Sequence, residues 1–317
     1  MTNLRMPIDV PAARQSEYRR NYTALTKGRG HLLLIAGDQK VEHLNDDFFG
    51  SGISPEDNSP EHLFRIAAAS QGGVLATHLG LIASYGHRYR HIPYIVKLNG
   101  KTNLGPNEDK DSSRLWWTVE DIVKFKKHSG LKIGGIGYTL YLGGSHEAEM
   151  LATAAAAIFQ AHQAGLMAIL WVYPRGKNIK EEDIHTIAGG AGVAATLGAD
   201  FVKVKYPYGL KDKKTVAENF QEVTGAAGLT RVICVGSSKM AAKELLEQLH
   251  RQIRISGTAG LAIGRNLHQR PLEEASRLAA ALSAIIFNNA TAKEAYQIYS
   301  AKAKAPARKT GRFLGIF

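Results

Sequence analysis

Ala199-Asp200-Phe201-Val202-Lys203-Val204-Lys205-Tyr206-Pro207 reads as a short buried strand that stops at a proline and carries lysines where a core strand carries aliphatics. Residues 180–197 before it and 216–224 after it have helical character. The same alternation continues in both directions. Apolar runs at 32–36, 73–77, 94–98, 133–138, 168–173, 199–205, 232–235 and 260–263 are separated by amphipathic or alanine-rich segments. Those segments fall at 60–70, 118–128, 147–164, 180–197, 216–224 and 241–251, with a last one at 271–288. Strands alternating with helices predict a parallel sheet with crossover connections. Eight such units in 317 residues predict a single (β/α)8 TIM barrel of the α/β class rather than an open sheet. The link between the second and third runs is short, and 84–91 reads as a loop. No Pro-, Ser- or Gly-rich linker divides the chain. The expected organisation is an N-terminal extension over 1–27 that forms an arm or closes the barrel bottom, a barrel over 28–300, and a basic C-terminal tail over 301–317.

Composition narrows the function classes. A hydrophobic fraction of 44% supports a real core, and no apolar run has the length of a membrane span. The first twenty residues mix charges with Pro7 and Pro11 and lack the apolar centre of a signal peptide. A cytoplasmic location is expected. The single cysteine, Cys234, rules out an intrachain disulfide and reads as a small core residue. The net charge is +12, but five basic residues and no acid fall in the last sixteen positions, which leaves the body near +7. No zinc-finger, homeodomain or RNA-recognition pattern accompanies that charge. It fits attraction of small anions such as sugar phosphates; a non-catalytic phosphate- or nucleic-acid-binding barrel is the rival reading, carried only by the tail.

The lysines of the opening stretch define the chemistry. Lysine is seldom buried unless paired or used. An amine held in a dry pocket loses its proton readily, and a neutral amine attacks carbonyls to form a Schiff base. Positions 201, 203 and 205 share one face of a strand, so Lys205 is placed to lower the pKa of Lys203 by its charge. The bland alternative is a strand-end lysine reaching solvent. In barrels of this class the chemistry gathers at the C-terminal ends of the strands. This chain puts Asp38, Gln39, Glu42 and His43 there after the first run, and Lys97, Asn99 and Lys101 after the third. The fifth ends in Trp171, Tyr173 and Arg175, the seventh opens into Gly236-Ser237-Ser238-Lys239, and the eighth into Gly264-Arg265-Asn266.

Glycines and serines after the seventh and eighth runs suit a phosphate, because backbone N–H groups can approach its oxygens and Arg265 can pair with it. Asp38 reads either as a carboxylate facing the lysine pocket or as a turn residue after Gly37. Tyr173 serves as a general acid/base if nearby cations lower its pKa, and Trp171 on the same face in part fills the core. Gly190-x-Gly192-x-x-Ala195 lacks the preceding strand of a dinucleotide fingerprint and reads as close helix packing. Gln39 stands where an H-x-x-E-H metal motif needs histidine, and His87 and His91 lie in a stretch that is not helical. Neither a metal nor another cofactor is expected.

Taken together, Gly37-Asp38-Gln39 with Glu42-His43, Lys97-Leu98-Asn99-Gly100, Gly137-Tyr138-Thr139-Leu140-Tyr141 with Gly144-Ser145, Trp171-Val172-Tyr173-Pro174-Arg175-Gly176, Ala199-Asp200-Phe201-Val202-Lys203 and Ile263-Gly264-Arg265-Asn266 resemble the archaeal-type class I fructose-1,6-bisphosphate aldolases, a family of Schiff-base barrels. The resemblance spans roughly Leu32 to Asn266. It selects Lys203 over Lys205 as the Schiff-base lysine and implies Tyr173 and Asp38 as catalytic groups. By the same resemblance His43, Gly264 and Arg265 bind substrate, and Trp171 ahead of Tyr173 looks like the sugar-bisphosphate branch. Lys205, Ser237 and Ser238 complete the expected substrate contacts; the serine pair departs from the second glycine common in related chains. The family also includes a transaldolase-like enzyme and a thiolase acting on other carbonyl substrates. The implied protein is a metal-independent lyase acting on a sugar phosphate, a homo-oligomer with no nucleic-acid or membrane partner.

Overall fold

The computed structural model describes residues 4–105, 111–177 and 179–301. Among them, eight runs of aliphatic and β-branched residues form parallel strands: β1 (Leu32–Ala36), β2 (Gly73–His78), β3 (Tyr94–Lys97), β4 (Ile133–Leu142), β5 (Met167–Pro174), β6 (Phe201–Val204), β7 (Arg231–Val235) and β8 (Gly260–Ile263). Each strand pairs with the next, and β1 pairs with β8 to close the barrel. Helices cover the outside, which makes the fold the (β/α)8 barrel expected.

Alternate residues of each strand face opposite sides, and the core divides accordingly. Leu33, Ile35, Leu75, Val96, Leu170 and Val202 pack beneath the outer helices. Leu32, Leu34, Ala36, Val74, Ala76, Ile95, Ile169, Trp171, Phe201 and Ile233 form the barrel interior. Tyr18, Tyr22 and Leu25 of the helix Gln15–Thr26 join this second cluster, so that helix stops the bottom of the barrel. Half-buried Asp200, just before β6, ties it down. Its carboxylate accepts hydrogen bonds from the Tyr18 hydroxyl and from Ala168 N at 2.7 Å, and it lies 3.2 Å from His162 Nε2. The other His162 nitrogen lies 2.8 Å from Asp9. Burial opposes the imidazolium, yet the Asp200 and Asp9 carboxylates push His162 up to about 9.

Several local expectations are corrected. The 84–91 segment begins inside a helix, Leu79–Tyr85, springing directly from His78, and continues as a single helical turn, Gly86–Arg88. The predicted helix at 216–224 is two, Lys213–Asn219 and Gln221–Ala226, joined at Phe220. β4 runs four residues past its expected end, because Thr139–Leu142 stay in register with Trp171–Pro174 of β5; on the other edge the Asn99 side chain donates to Thr139 O and accepts from Thr139 N, both at 2.8 Å. A two-residue ribbon pairs Asn99–Gly100 with Arg114–Leu115, and a further helix, Ala292–Ser300, starts at a Thr291–Glu294 capping box. Gly190 and Gly192 lie inside the helix Ile184–Thr196, with Gly190 against Val172 of β5. Beyond Ala301 the basic tail lies outside the described residues. Among the described residues, no helix is long and apolar enough to cross a membrane.

Candidate active site

The inward stripe of each strand is apolar through its lower layers and changes character at the C-terminal mouth. Two residues beyond Ala36 comes Asp38, two beyond Ala76 His78, two beyond Ile95 Lys97, two beyond Ile169 Trp171, and two beyond Phe201 Lys203. Strand register sets them side by side, His78 opposite Lys97 and Trp171 opposite Lys203. Asp38 is 2% exposed, His78 6%, Lys97 0%, Lys203 4% and Trp171 1%. A layer of ionisable groups thus lies where a stability-driven core would be apolar.

Two amines converge on one indole. The Nζ atoms of Lys97 and Lys203 lie 4.4 and 5.1 Å from the Trp171 ring centroid, where a π-face favours cations. Gly137 of β4 makes room for this: a Cβ there would come within 2.4 Å of the Trp171 ring and 3.2 Å of the Lys97 stem. Lys97 is held by a hydrogen bond from its Nζ to Thr139 Oγ1. Burial pushes Lys97 down to about 8, against the pull of Asp38 and Glu42. Burial likewise lowers Lys203, with Asp38 and then Glu42 opposing.

Asp38 supplies the counter-charge. Burial raises its pKa, but Lys203, Lys97 and His78 together bring it below the ordinary carboxylate range. It makes no capping bond to the short helix Gln39–Glu42, and its Oδ1 has no hydrogen-bond partner. Asp38 lies in a turn through its backbone, where its carbonyl accepts from Val41 N, while its side chain makes no turn-forming bond and has the lysines as its charge partners. Glu42 goes the other way: burial and the Asp38 charge raise it, more than Lys97 and Lys203 lower it.

Tyr173 stands beside this group, its ring stacked 6.0 Å from that of Tyr141. The pKa lowering expected for it is reversed. Burial, Glu42 and Asp38 raise it well above the ordinary phenol value, although Arg175 lies 5.3 Å from its ring. Tyr173 is thus held in its protonated form. The charge role expected of Lys205 is also overturned. β6 ends at Val204, and Lys205 pairs with Glu181, which also accepts from Arg175 Nε at 2.6 Å. The second amine of the site is Lys97 on β3, not Lys205.

The loops after β7 and β8 form one unit on the other side of the mouth. Asn266 Nδ2 donates to Ser237 O and Ser238 O at 3.1 and 3.0 Å, while its Oδ1 accepts from Met240 N at 2.9 Å. Gly264 opens the turn Arg265–His268 and abuts Gln39. Arg265 Nε lies 3.8 Å from Asp47 Oδ2, and the same carboxylate bonds His43 Nδ1. Asp47, unremarked in the sequence, is thus the link that gathers His43 and Arg265. Lys97 and Glu42 were visible at strand ends but without roles, and His78 was missed. Two-residue spacing from Ala76 is the signal that finds it. Among the described residues, no three His, Cys, Asp or Glu side chains are grouped to hold a metal.

The model of the DeoC/LacD family of aldolases matches residues 32–270. A protein of Methanocaldococcus jannaschii named fructose-bisphosphate aldolase/6-deoxy-5-ketofructose 1-phosphate synthase is 51% identical over 94% of each chain. A class 1 fructose-bisphosphate aldolase of Halobacterium salinarum is 32% identical over 84% of this chain and 94% of its own. Among solved structures, a fructose-bisphosphate aldolase from Slackia heliotrinireducens superposes with a TM-score of 0.91 at 45% identity, covering 96% of each chain. An archaeal fructose-1,6-bisphosphate aldolase, its catalytic lysine bound to a carbinolamine intermediate, superposes at 0.71 with 27% identity over 85% of this chain and 99% of its own.

Proposed function

This chain belongs to the DeoC/LacD family of aldolases, and from that premise we propose that it cleaves fructose 1,6-bisphosphate to dihydroxyacetone phosphate and glyceraldehyde 3-phosphate through a Schiff base on Lys203. The observation that carries the reading is the buried amine of Lys203, lowered in pKa and faced by the buried Asp38 carboxylate at the C-terminal mouth of the barrel. Neutral Lys203 Nζ attacks the C2 ketone, and loss of water from the carbinolamine leaves a protonated iminium. That cation draws in the electrons of the C3–C4 bond as it breaks. The C4 hydroxyl gives its proton to the neighbouring Glu42–Tyr173 pair, and glyceraldehyde 3-phosphate departs. Glu42 suits the acceptor role because a carboxyl raised above its ordinary range holds a proton more readily. The pair returns a proton to C3 of the enamine, and water regenerates the amine and releases dihydroxyacetone phosphate. Asp38 stabilises the iminium charge. The Gly264-Arg265 turn and the Ser237-Ser238 loop take the phosphate next to C2. The iminium does the polarising that a metal does in other aldolases.

The same enamine can attack a different aldehyde, and the double name of the M. jannaschii relative includes a synthase of a ketose 1-phosphate. Supplying alternative aldehydes with fructose 1,6-bisphosphate tests for such transfer. The central test is borohydride reduction in the presence of dihydroxyacetone phosphate, followed by peptide mapping. The label is expected on Lys203 and absent from Lys203→Met. Label on Lys97 or Lys205, or none at all, refutes the assignment.

A further inference from the structure

In the layer of polar side chains at the barrel mouth, the Lys97 and Lys203 amines lie over the Trp171 ring and Asp38 supplies their counter-charge. The ring nitrogens of His78 have no such use. The residue is 6% exposed, and neither ring nitrogen makes a hydrogen bond of ordinary geometry. An unmet buried polar atom destabilises a fold, and here there are two on one ring. Elsewhere the inward face of β2 is apolar, with Val74 and Ala76 below. Asp38 Oδ1 and Trp171 Nε1 in the same layer are orphaned as well. Unused hydrogen-bonding capacity therefore recurs around the space the substrate enters.

The ring is also held in a fixed plane. Trp116 lies against it at 4.7 Å between centroids, and Trp116 N donates to Leu98 O at 2.8 Å. Gly100 admits both rings, since a Cβ there would lie 2.9 Å from His78 and 2.7 Å from Trp116. A clamped ring with two idle nitrogens is a preorganised contact.

Its chemistry selects the ligand group. Burial, then the Lys97 charge, pushes His78 down to about 4, more than Asp38 and the nearby Lys97 backbone raise it. The ring is neutral at physiological pH, with one nitrogen a donor and the other an acceptor. That pairing suits a hydroxyl, which donates and accepts, and offers a phosphate no charge. Position selects which hydroxyl. β2 lies across the eight-stranded barrel from β6. With C2 on Lys203 and its adjoining phosphate at β7 and β8, the rest of the sugar extends toward β2, β3 and β4.

We propose that His78 is a specificity-determining substrate contact, its imidazole binding a hydroxyl on the C4–C6 half of the ketose. This rests on the Schiff-base reading. The test uses His78→Phe, which keeps an aromatic ring against Trp116 and deletes both nitrogens, and His78→Gln, which keeps a donor and an acceptor. His78→Phe is expected to unfold no earlier than wild type, because two orphaned polar atoms are removed. It should lose about 10- to 100-fold in kcat/KM for fructose 1,6-bisphosphate, the scale of a hydrogen bond lost from a buried polar group. Borohydride trapping of dihydroxyacetone phosphate, which has no C4–C6 half, should proceed at the wild-type rate. His78→Gln should recover part of the loss. In wild type, 4-deoxy and 5-deoxy fructose 1,6-bisphosphate are compared with the parent sugar by calorimetric binding, because the 4-deoxy sugar has no C4 hydroxyl and cannot be cleaved; one of them should bind more weakly than the parent, and in His78→Phe that discrimination should vanish. Wild-type kcat/KM in His78→Phe overturns the proposal, as does a trapping rate that falls along with it. Should His78→Phe not fold, a His78→Gln enzyme that discriminates against neither deoxy sugar also overturns it. Absence of trapping in wild type itself would refute the Schiff-base reading instead; calorimetric binding of fructose 1,6-bisphosphate to wild type and His78→Phe then decides the contact separately, equal affinities overturning it.

Discussion

Asp38→Asn removes one charge from a buried trio and leaves the shape of the site almost unaltered. Asp38 is 2% exposed and faces two amines that are 0% and 4% exposed, so its charge is little screened. In the resting enzyme both amines can shed their protons and so escape the loss. The iminium cannot, because its positive charge is fixed by the covalent bond. Stranding one member of a buried ion pair costs about 3–5 kcal/mol. That penalty falls on the iminium and on the C–C cleavage it supports, and corresponds to a loss of about 10²- to 10³-fold or more in kcat. The attack step should respond in the opposite direction. Burial lowers Lys203, and Asp38 is the leading charge that raises it again. Without that charge the amine is neutral at lower pH, and the midpoint of carbinolamine formation shifts toward acid. Steady-state cleavage assays give the first quantity, and borohydride trapping with dihydroxyacetone phosphate across a pH series gives the second. A kcat within about threefold of wild type, or a trapping midpoint that moves toward alkali, would refute the reasoning.

Tyr173→Phe should lower turnover about 10²-fold or more, the scale of a lost acid/base group, while trapping at Lys203 persists; unchanged turnover would reduce Tyr173 to a packing residue. Arg265→Ala should raise KM for fructose 1,6-bisphosphate about 10- to 100-fold and barely alter that for an unphosphorylated ketose. The factor lies below the range for a fully buried charge pair, because this guanidinium is 29% exposed and already shares Asp47. An unchanged KM would remove Arg265 from the phosphate site. Lys97, lowered to about 8, should make wild type gain stability as pH rises from that value toward 10, since the unfolded chain then binds a proton the folded one lacks. Denaturant midpoints at both ends should rise less in Lys97→Met, which still contains the similarly lowered Lys203, and an equal rise in the two would contradict the burial account.

The barrel was legible because its evidence is repeated. Each apolar run is weak alone, but eight of them separated by amphipathic segments exclude most other arrangements. What failed was set by single side chains acting over distance. Thr139–Leu142 stay paired with Trp171–Pro174 of β5, and the Asn99 side chain imitates a strand backbone against Thr139 on the other edge; nothing in the neighbours of either announces that. The two helices that divide at Phe220 read as one, because their apolar positions fall on one continuous stripe.

The site was legible where the chemistry is local and hidden where it depends on which strands meet. Lys203 and Asp38 are conspicuous in their own segments, as charges where a core should be apolar. The choice of Lys205 as the second amine assumed that a neighbour in sequence is a neighbour in space. A barrel reverses this, since residues on different strands meet at the mouth while those two apart along one strand lie at different heights. Lys97 reaches Trp171 from β3, and Glu181 takes Lys205 aside after β6 ends. The direction of the Tyr173 shift was misread for the same reason. Arg175 is its neighbour in sequence, but Asp38 and Glu42 come from the turn and short helix that follow β1, and with burial they outweigh the cation. The inward parity of the strands finds His78, and gives the already visible Lys97 its place, once it is carried two residues beyond the last apolar position on β2 and β3. In a barrel that position marks where the packed interior ends and the ligand space begins, so a polar residue there belongs to the site before any motif is considered.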